Sequence, residues 1–130
     1  MEIVVTQDEG RVPVTVFQLK GDLANEEPLK SQATEAYENG TRNLLLDLSD
    51  VPYITSSGLR AIHYVFDLLR SDSPDENDQA VRKGIASGQY KSPHLKLVKP
   101  SKNALKALSI SGYDMFLEVH KNYKEAIASF

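Results

Sequence analysis

The 130-residue chain contains no cysteine and no tryptophan, and only three histidines and two methionines. Without cysteine there can be no disulfide, no thiolate metal site and no cysteine nucleophile, and a disulfide-free chain fits the reducing cytoplasm, the expected location. No apolar run approaches the ~20 residues of a membrane helix; the longest obvious ones are Ile3–Val5 and Leu44–Leu46. The N-terminal MEIVVTQDEG lacks the basic start of a signal peptide and reads as a strand, so no membrane insertion is expected. A basic excess is missing as well. Fifteen Lys and Arg stand against 18 Asp and Glu, a formal net charge of −3, which argues against direct nucleic-acid binding. Lys91, Lys96, Lys99, Lys102 and Lys106 crowd one stretch, but apolar residues interleave them. They read as the solvated sides of a strand and a helix.

What is present is ordinary globular material. Hydrophobic residues make up 41% and charged residues 25%, and the length fits one domain with a real core. Glu2–Thr6 is β-rich, Gln7–Gly10 reads as a turn, and Val12–Lys20 is again β-branched and aromatic, which together predicts a hairpin. Pro13 cannot donate a backbone hydrogen bond and so marks an edge or bulge at the start of the second strand. Asn25 can cap a helix to about Asn39, with Leu29, Ala33, Ala36 and Tyr37 on one face and Gly40 to stop it. Arg42–Leu48 contains three consecutive leucines without alternation and predicts a strand covered on both faces.

After the loop Ser49–Thr55, a helix to about Arg70 keeps Leu59, Ile62, Val65, Phe66 and Leu69 at helical spacing. Leu95–Val98 predicts a strand, and Pro100-Ser101 opens a helix with Ala104, Leu105 and Leu108 inward. Met115–Val119 predicts the last strand, and Asn122–Phe130 the last helix with Tyr123, Ala126, Ile127 and Phe130 inward. The order ββαβαβαβα implies an α/β fold, a mixed β-sheet packed by about four helices in a single domain. Residues 71–94 break this pattern. Among 24 residues only Ala80, Val81, Ile85, Ala86 and Tyr90 are apolar. A polar, mobile surface insertion is expected there, with at most a helical turn near Gln79–Ile85.

The strongest chemical feature is the run Asp47-Leu48-Ser49-Asp50-Val51-Pro52-Tyr53-Ile54-Thr55-Ser56-Ser57-Gly58-Leu59-Arg60, where a buried strand ends and two serines and a glycine open a helix. The first amides of a helix are unsatisfied and its dipole adds partial positive charge there. From the pattern alone, Ser56 or Ser57 is first of all an N-cap. The other reading is a hydroxyl held where a phosphate is well tolerated, with Gly58 admitting a close approach. A serine hydrolase is disfavoured: Gly-x-Ser-x-Gly is absent. His63 lies seven residues after Ser56, roughly 10 Å along a helix, far beyond nucleophile–base contact. His94 and His120 carry no motif. The acids of Asp72–Asp78 lack the EF-hand pattern. No Walker A sequence exists, and Gly84–Gly88 is not a dinucleotide fingerprint. No metal, cofactor or catalytic residue is expected.

Asp47-Leu48-Ser49-x-Val51-x-x-Ile54-x-Ser56-Ser57-Gly58-Leu59, after Gly21-Asp22-Leu23 and a first helix, resembles a STAS domain, most of all the bacterial anti-sigma factor antagonists. Leu108-Ser109-Ile110-Ser111-Gly112-Tyr113 is similar to the family's segment before the last strand. The resemblance implies a STAS-like single domain that acts by partner switching and regulates transcription indirectly. In the family the unphosphorylated antagonist binds an anti-sigma factor that is itself a serine kinase. That kinase phosphorylates the serine before the Ser/Thr-Gly pair, here Ser56, and a metal-dependent serine phosphatase reverses the modification. The chain would then be ligand and substrate, not enzyme. The implied switch region comprises Asp22, Asn25, Thr55, Ser57, Gly58, Leu59 and Arg60 around Ser56. Thr55 stands where the family usually has an acid and Ala24 where it often has Asp, with Asp22 or Asn25 as spatial substitutes and Thr55 as a second-choice acceptor. The alternative is a STAS subunit that binds without phosphorylation, as in a stressosome-type scaffold or a lipid-transporting ABC system.

Overall fold

The computed structural model describes residues 1–130. Five strands, β1 (Glu2–Glu9), β2 (Pro13–Lys20), β3 (Leu44–Asp50), β4 (Leu95–Val98) and β5 (Glu118–His120), form one sheet in sequence order. β1 is antiparallel to β2, and β2 to β5 run parallel. The helices are α1 (Glu27–Glu38), α2 (Ser56–Leu69), α3 (Asp78–Ala86), α4 (Lys102–Ile110) and α5 (Tyr123–Ala128). The expected mixed α/β sheet is present, with one helix more than the sequence pattern predicts.

Alternation along the strands divides the core. Phe17, Leu19, Leu44, Leu46, Leu48, Leu95 and Leu97 pack with residues of α1, α2 and α4 in the main cluster. Val14, Val16, Leu45 and Val98 meet Ala126 and Ile127 of α5 in a smaller one. The unbroken leucine run of β3 follows from this, because both faces of the strand are covered. Pro13 opens β2, where its missing N–H removes nothing from the ladder to β3, which begins at Thr15↔Leu44. α1 ends as predicted at Gly40: with φ +99°, it lets Gly40 N–H reach Tyr37 O (3.0 Å) and Thr41 N–H reach Ala36 O (3.0 Å), the Schellman pairing.

Several expectations need correction. β1 continues through Gln7–Glu9, because pairing with Thr15, Val14 and Pro13 overrides their turn preference. Its polar side chains are used there: Thr15 Oγ1 donates to Gln7 Oε1 (3.0 Å) and Tyr123 Oη to Asp8 Oδ2 (2.8 Å). Met115 belongs to a 3₁₀ turn, Tyr113–Met115, and β5 starts later. Leu105 is 40% exposed while Ala104 and Leu108 are buried.

Residues 71–94 carry more structure than one helical turn. They form a 3₁₀ turn (Pro74–Glu76) and α3, capped by Asn77, whose Oδ1 accepts Ala80 N–H (2.9 Å). Val81 is buried in the main core. Arg70 bridges Asp67 (2.7 Å) and Asp78 (2.6 Å), and Glu76 receives Tyr90 Oη (2.5 Å) while pairing with His94 (2.7 Å). A polar composition therefore conceals a segment that is anchored by ion pairs and by Val81, Ile85 and Tyr90 against the main core.

Lys96 is the other correction, since it is buried rather than solvated. Its β4 position places it beside Leu45 on the α5 side. The ammonium donates to Ser129 O (2.7 Å) and Ser129 Oγ (3.1 Å), pairs with Glu118 (3.0 Å) and lies 4.9 Å from the Phe130 ring centroid. One side chain thus ties the C-terminal helix to the sheet, its aliphatic stem in the small cluster and its charge fully partnered. Replacing Lys96 by Ala should lower unfolding free energy in urea by about 2–3 kcal/mol, because charged hydrogen bonds and stem packing go together. Lys96→Met, which keeps the stem, should lose less.

Candidate functional site

The carboxyl ends of β2 and β3 are stitched together just before α2 begins. Gly21 N–H donates to Asp50 O, Leu23 N–H to Tyr53 O and Thr55 N–H to Leu23 O, each at 3.0 Å. Leu23 and Ile54 form a short parallel bridge, and both are buried together with Val51. From the far side, Ser101 Oγ at the start of α4 donates toward Val51 O and Pro52 O, 3.0 Å each. A loop that carries two apolar side chains into the core and is bonded on both flanks gives α2 a fixed starting point.

Thr55, not Ser56 or Ser57, caps α2. Its backbone is extended (φ −91°, ψ 175°) and its Oγ1 accepts Gly58 N–H at 3.3 Å. Moving the cap one residue back changes what the serines do. Ser56 becomes the first helical residue, exposed, with its hydroxyl in no hydrogen bond to the protein. Ser57 Oγ accepts from Arg60 Nη2 (2.9 Å), and Arg60 Nε also reaches Glu26 Oε2 (3.5 Å).

Gly58 is buried, and a Cβ placed there would lie 2.1 Å from Leu23 O. Leu59 packs half-buried against the main core. Across from Arg60, burial pushes the Tyr113 phenol above its ordinary range, with the Arg60 charge opposing that rise.

Of the residues singled out from sequence, Thr55, Ser56, Ser57, Gly58, Leu59 and Arg60 form the start of α2. Asp22 and Asn25 are exposed on the neighbouring β2–α1 segment, flanking the clamped Leu23. Asn25 is not the α1 cap; Glu26 occupies that position without a side-chain cap bond. Pro28 near the start of α1 brings no N–H to satisfy, so the helix manages with fewer acceptors.

Glu26 enters the site through Arg60, 34 residues away, and no local sequence pattern announces that pairing. The histidines are engaged elsewhere: His63 with Asp67 (3.2 Å), His94 with Glu76 (2.7 Å) and His120 with Glu118 (3.0 Å). No group of three His, Asp or Glu side chains lies close enough to hold a metal ion, and no helix is long and apolar enough to cross a membrane.

A family model described as STAS domain matches residues 3–73. No curated protein matches the chain in sequence. Among solved structures, a candidate anti-sigma factor antagonist of Thermotoga maritima superposes with a TM-score of 0.64 at 19% identity, covering 95% of this chain and 91% of that one. An anti-sigma factor antagonist from Mycobacterium paratuberculosis gives 0.65 at 13% identity, with 98% and 93% covered. The anti-sigma factor antagonist SpoIIAA in its unphosphorylated form gives 0.51 at 12%, with 94% and 92% covered. At these identities the likeness is one of fold.

The Leu23–Gly58 approach sets a sharp test of the geometry. Gly58→Ala should destabilise the protein by about 3 kcal/mol in urea denaturation, since the methyl group meets a backbone carbonyl that is itself hydrogen-bonded. Gly40→Ala should act differently: no atom lies within 4 Å of its added Cβ, and only its positive φ resists the change.

Proposed function

The chain belongs to the STAS domain family, and we propose that it is an anti-sigma factor antagonist switched by phosphorylation of Ser56. The observation that carries this reading is the free Ser56 hydroxyl at the first position of α2, exposed because Thr55 has taken the cap. The solved structures that share the fold over nearly the whole chain and carry the antagonist role support the general assignment.

In this reading the unmodified α2 terminus and the adjoining Asp22–Asn25 segment form the surface that an anti-sigma factor with serine kinase activity binds. The kinase transfers the γ-phosphoryl group of ATP to Ser56 Oγ, and a metal-dependent serine phosphatase removes it. The chain supplies the acceptor and the docking surface and performs no catalysis. Thr55 is the weaker acceptor because its hydroxyl oxygen already holds Gly58 N–H and its proton points toward Leu23 O (3.4 Å).

A phosphate adds roughly −1.5 to −2 charges. At the start of a helix that charge is compatible with the fold, as the helix dipole and free amides favour an anion there. The switch therefore requires no unfolding; its effect falls on the bound partner. An unmatched charge buried in an interface costs about 2–5 kcal/mol, roughly 30-fold to several thousand-fold in affinity.

Incubation with the anti-sigma factor kinase and ATP should add one phosphate, mapped by mass spectrometry to Ser56 and absent from Ser56→Ala. Ser56→Asp should bind the anti-sigma factor at least about 30-fold more weakly than the wild type. Equal binding by Ser56→Asp would sink the switch. An unmodified chain that assembles stably into a large particle or with an ABC component would favour the non-phosphorylated STAS subunit instead.

A further inference from the structure

Arg60 sits one helical turn beyond Ser56, and its present contacts are ones it can leave. The Nε–Glu26 Oε2 separation is 3.5 Å, and the two side chains are 60% and 37% exposed. Exposed pairs of this kind hold weakly. Its other partner, Ser57 Oγ, is a neutral hydroxyl at 2.9 Å.

Helical side chains lean toward the N-terminus, and residues three and four apart share a face. Ser57 and Ser56 stand three and four residues before Arg60, on either side of its direction. The guanidinium already reaches the hydroxyl of Ser57, the neighbour of Ser56 on the same turn. The phosphate also projects farther from the backbone than the bare hydroxyl does.

The geometry points to Arg60 as the intramolecular partner of a phosphate on Ser56, a positioning residue that leaves Glu26 and Ser57 when the phosphate arrives. This inference rests on Ser56 being the phosphoacceptor. The planar guanidinium fork matches two phosphate oxygens, and charge-assisted bonds of that kind are stronger than a bond to a neutral hydroxyl.

Asp22 and Glu26 on the neighbouring segment are both acidic, so neither competes for the phosphate. Glu26 competes with the phosphate only for the guanidinium, and a phosphate offering two oxygens and nearly twice the charge outweighs one exposed carboxylate at 3.5 Å. Glu26 is then left without its cation at the start of α1. Phosphorylation is in this way registered at two helix starts, α2 through the new pair and α1 through the lost one, with no change of fold.

The test separates this contact from the kinase reaction. Phosphoserine is installed at position 56 of the full chain during translation, and its phosphorus resonance is titrated with pH in the wild type, Arg60→Ala and Arg60→Lys. Wild-type phosphoserine should lose its second proton at a pH lower by roughly 0.5 or more than in Arg60→Ala, as expected for a nearby cation. Arg60→Lys should fall between, and circular dichroism should show all three folded. Coincident titrations for the wild type and Arg60→Ala would overturn the inference, whatever the kinase does. A clear difference between them, with no phosphorylation of Ser56 by the kinase, would sink the switch reading alone and leave the Arg60 contact standing.

Discussion

Leu23 and Gly58 approach so closely that the backbone carbonyl of one occupies the space where the other would carry a side chain. That carbonyl also accepts the Thr55 N–H, and Leu23 N–H in turn donates to Tyr53 O. The two segments at the carboxyl ends of β2 and β3 are thereby held as one unit. Everything distinctive about the α2 terminus follows from this contact. It fixes where the loop ends, which residue turns extended enough to cap, and which side chain is first on the helix.

The capping arrangement shows how much one residue of offset matters. Were Ser56 the cap, its oxygen would be committed to a backbone amide and its hydroxyl partly withdrawn from solvent. With Thr55 in that place, the serine hydroxyl is exposed at the positive end of a helix, on a frame tied to the sheet by Leu23, to α4 by Ser101 and to the core by Val51, Ile54 and Leu59. A modification there changes charge without asking the fold to yield. The platform holds the Ser56 hydroxyl at a fixed place, and the three histidines are each paired with a carboxylate.

Away from the site, two features depend on side chains whose partners are distant in sequence. Lys96 and Glu118 are neighbours only because β4 and β5 pair in parallel, and the Ser129 carbonyl reaches the ammonium only because α5 returns across the sheet. Arg70, Glu76, Tyr90 and His94 form a similar set around α3. Within 71–94 the low apolar content leads to the expectation of a polar surface insertion. What it hides is a nine-residue helix seated by buried Val81, by Ile85 and Tyr90 packed against the main core, and by ion pairs.

The order of strands and helices was legible because hydrophobic periodicity is local: Leu44–Leu46 without alternation, Leu59 to Leu69 at helical spacing, and Gly40 where a left-handed residue is needed are short-range signals. So was the motif Ser56-Ser57-Gly58-Leu59 and its place at a helix start. The sequence did not disclose that Thr55 is the cap, that Glu26 reaches Arg60, that Lys96 is buried, or that β1 runs on to Glu9. The first three depend on contacts between residues far apart along the chain, and the last on hairpin pairing of Gln7, Asp8 and Glu9 with Thr15, Val14 and Pro13 that overrides their turn preference. Burial, capping and ion pairing are decided by what the fold brings alongside a side chain. Local pattern determined the elements and the position of the serine; only the packing of Leu23 against Gly58 decided which hydroxyl would be left free.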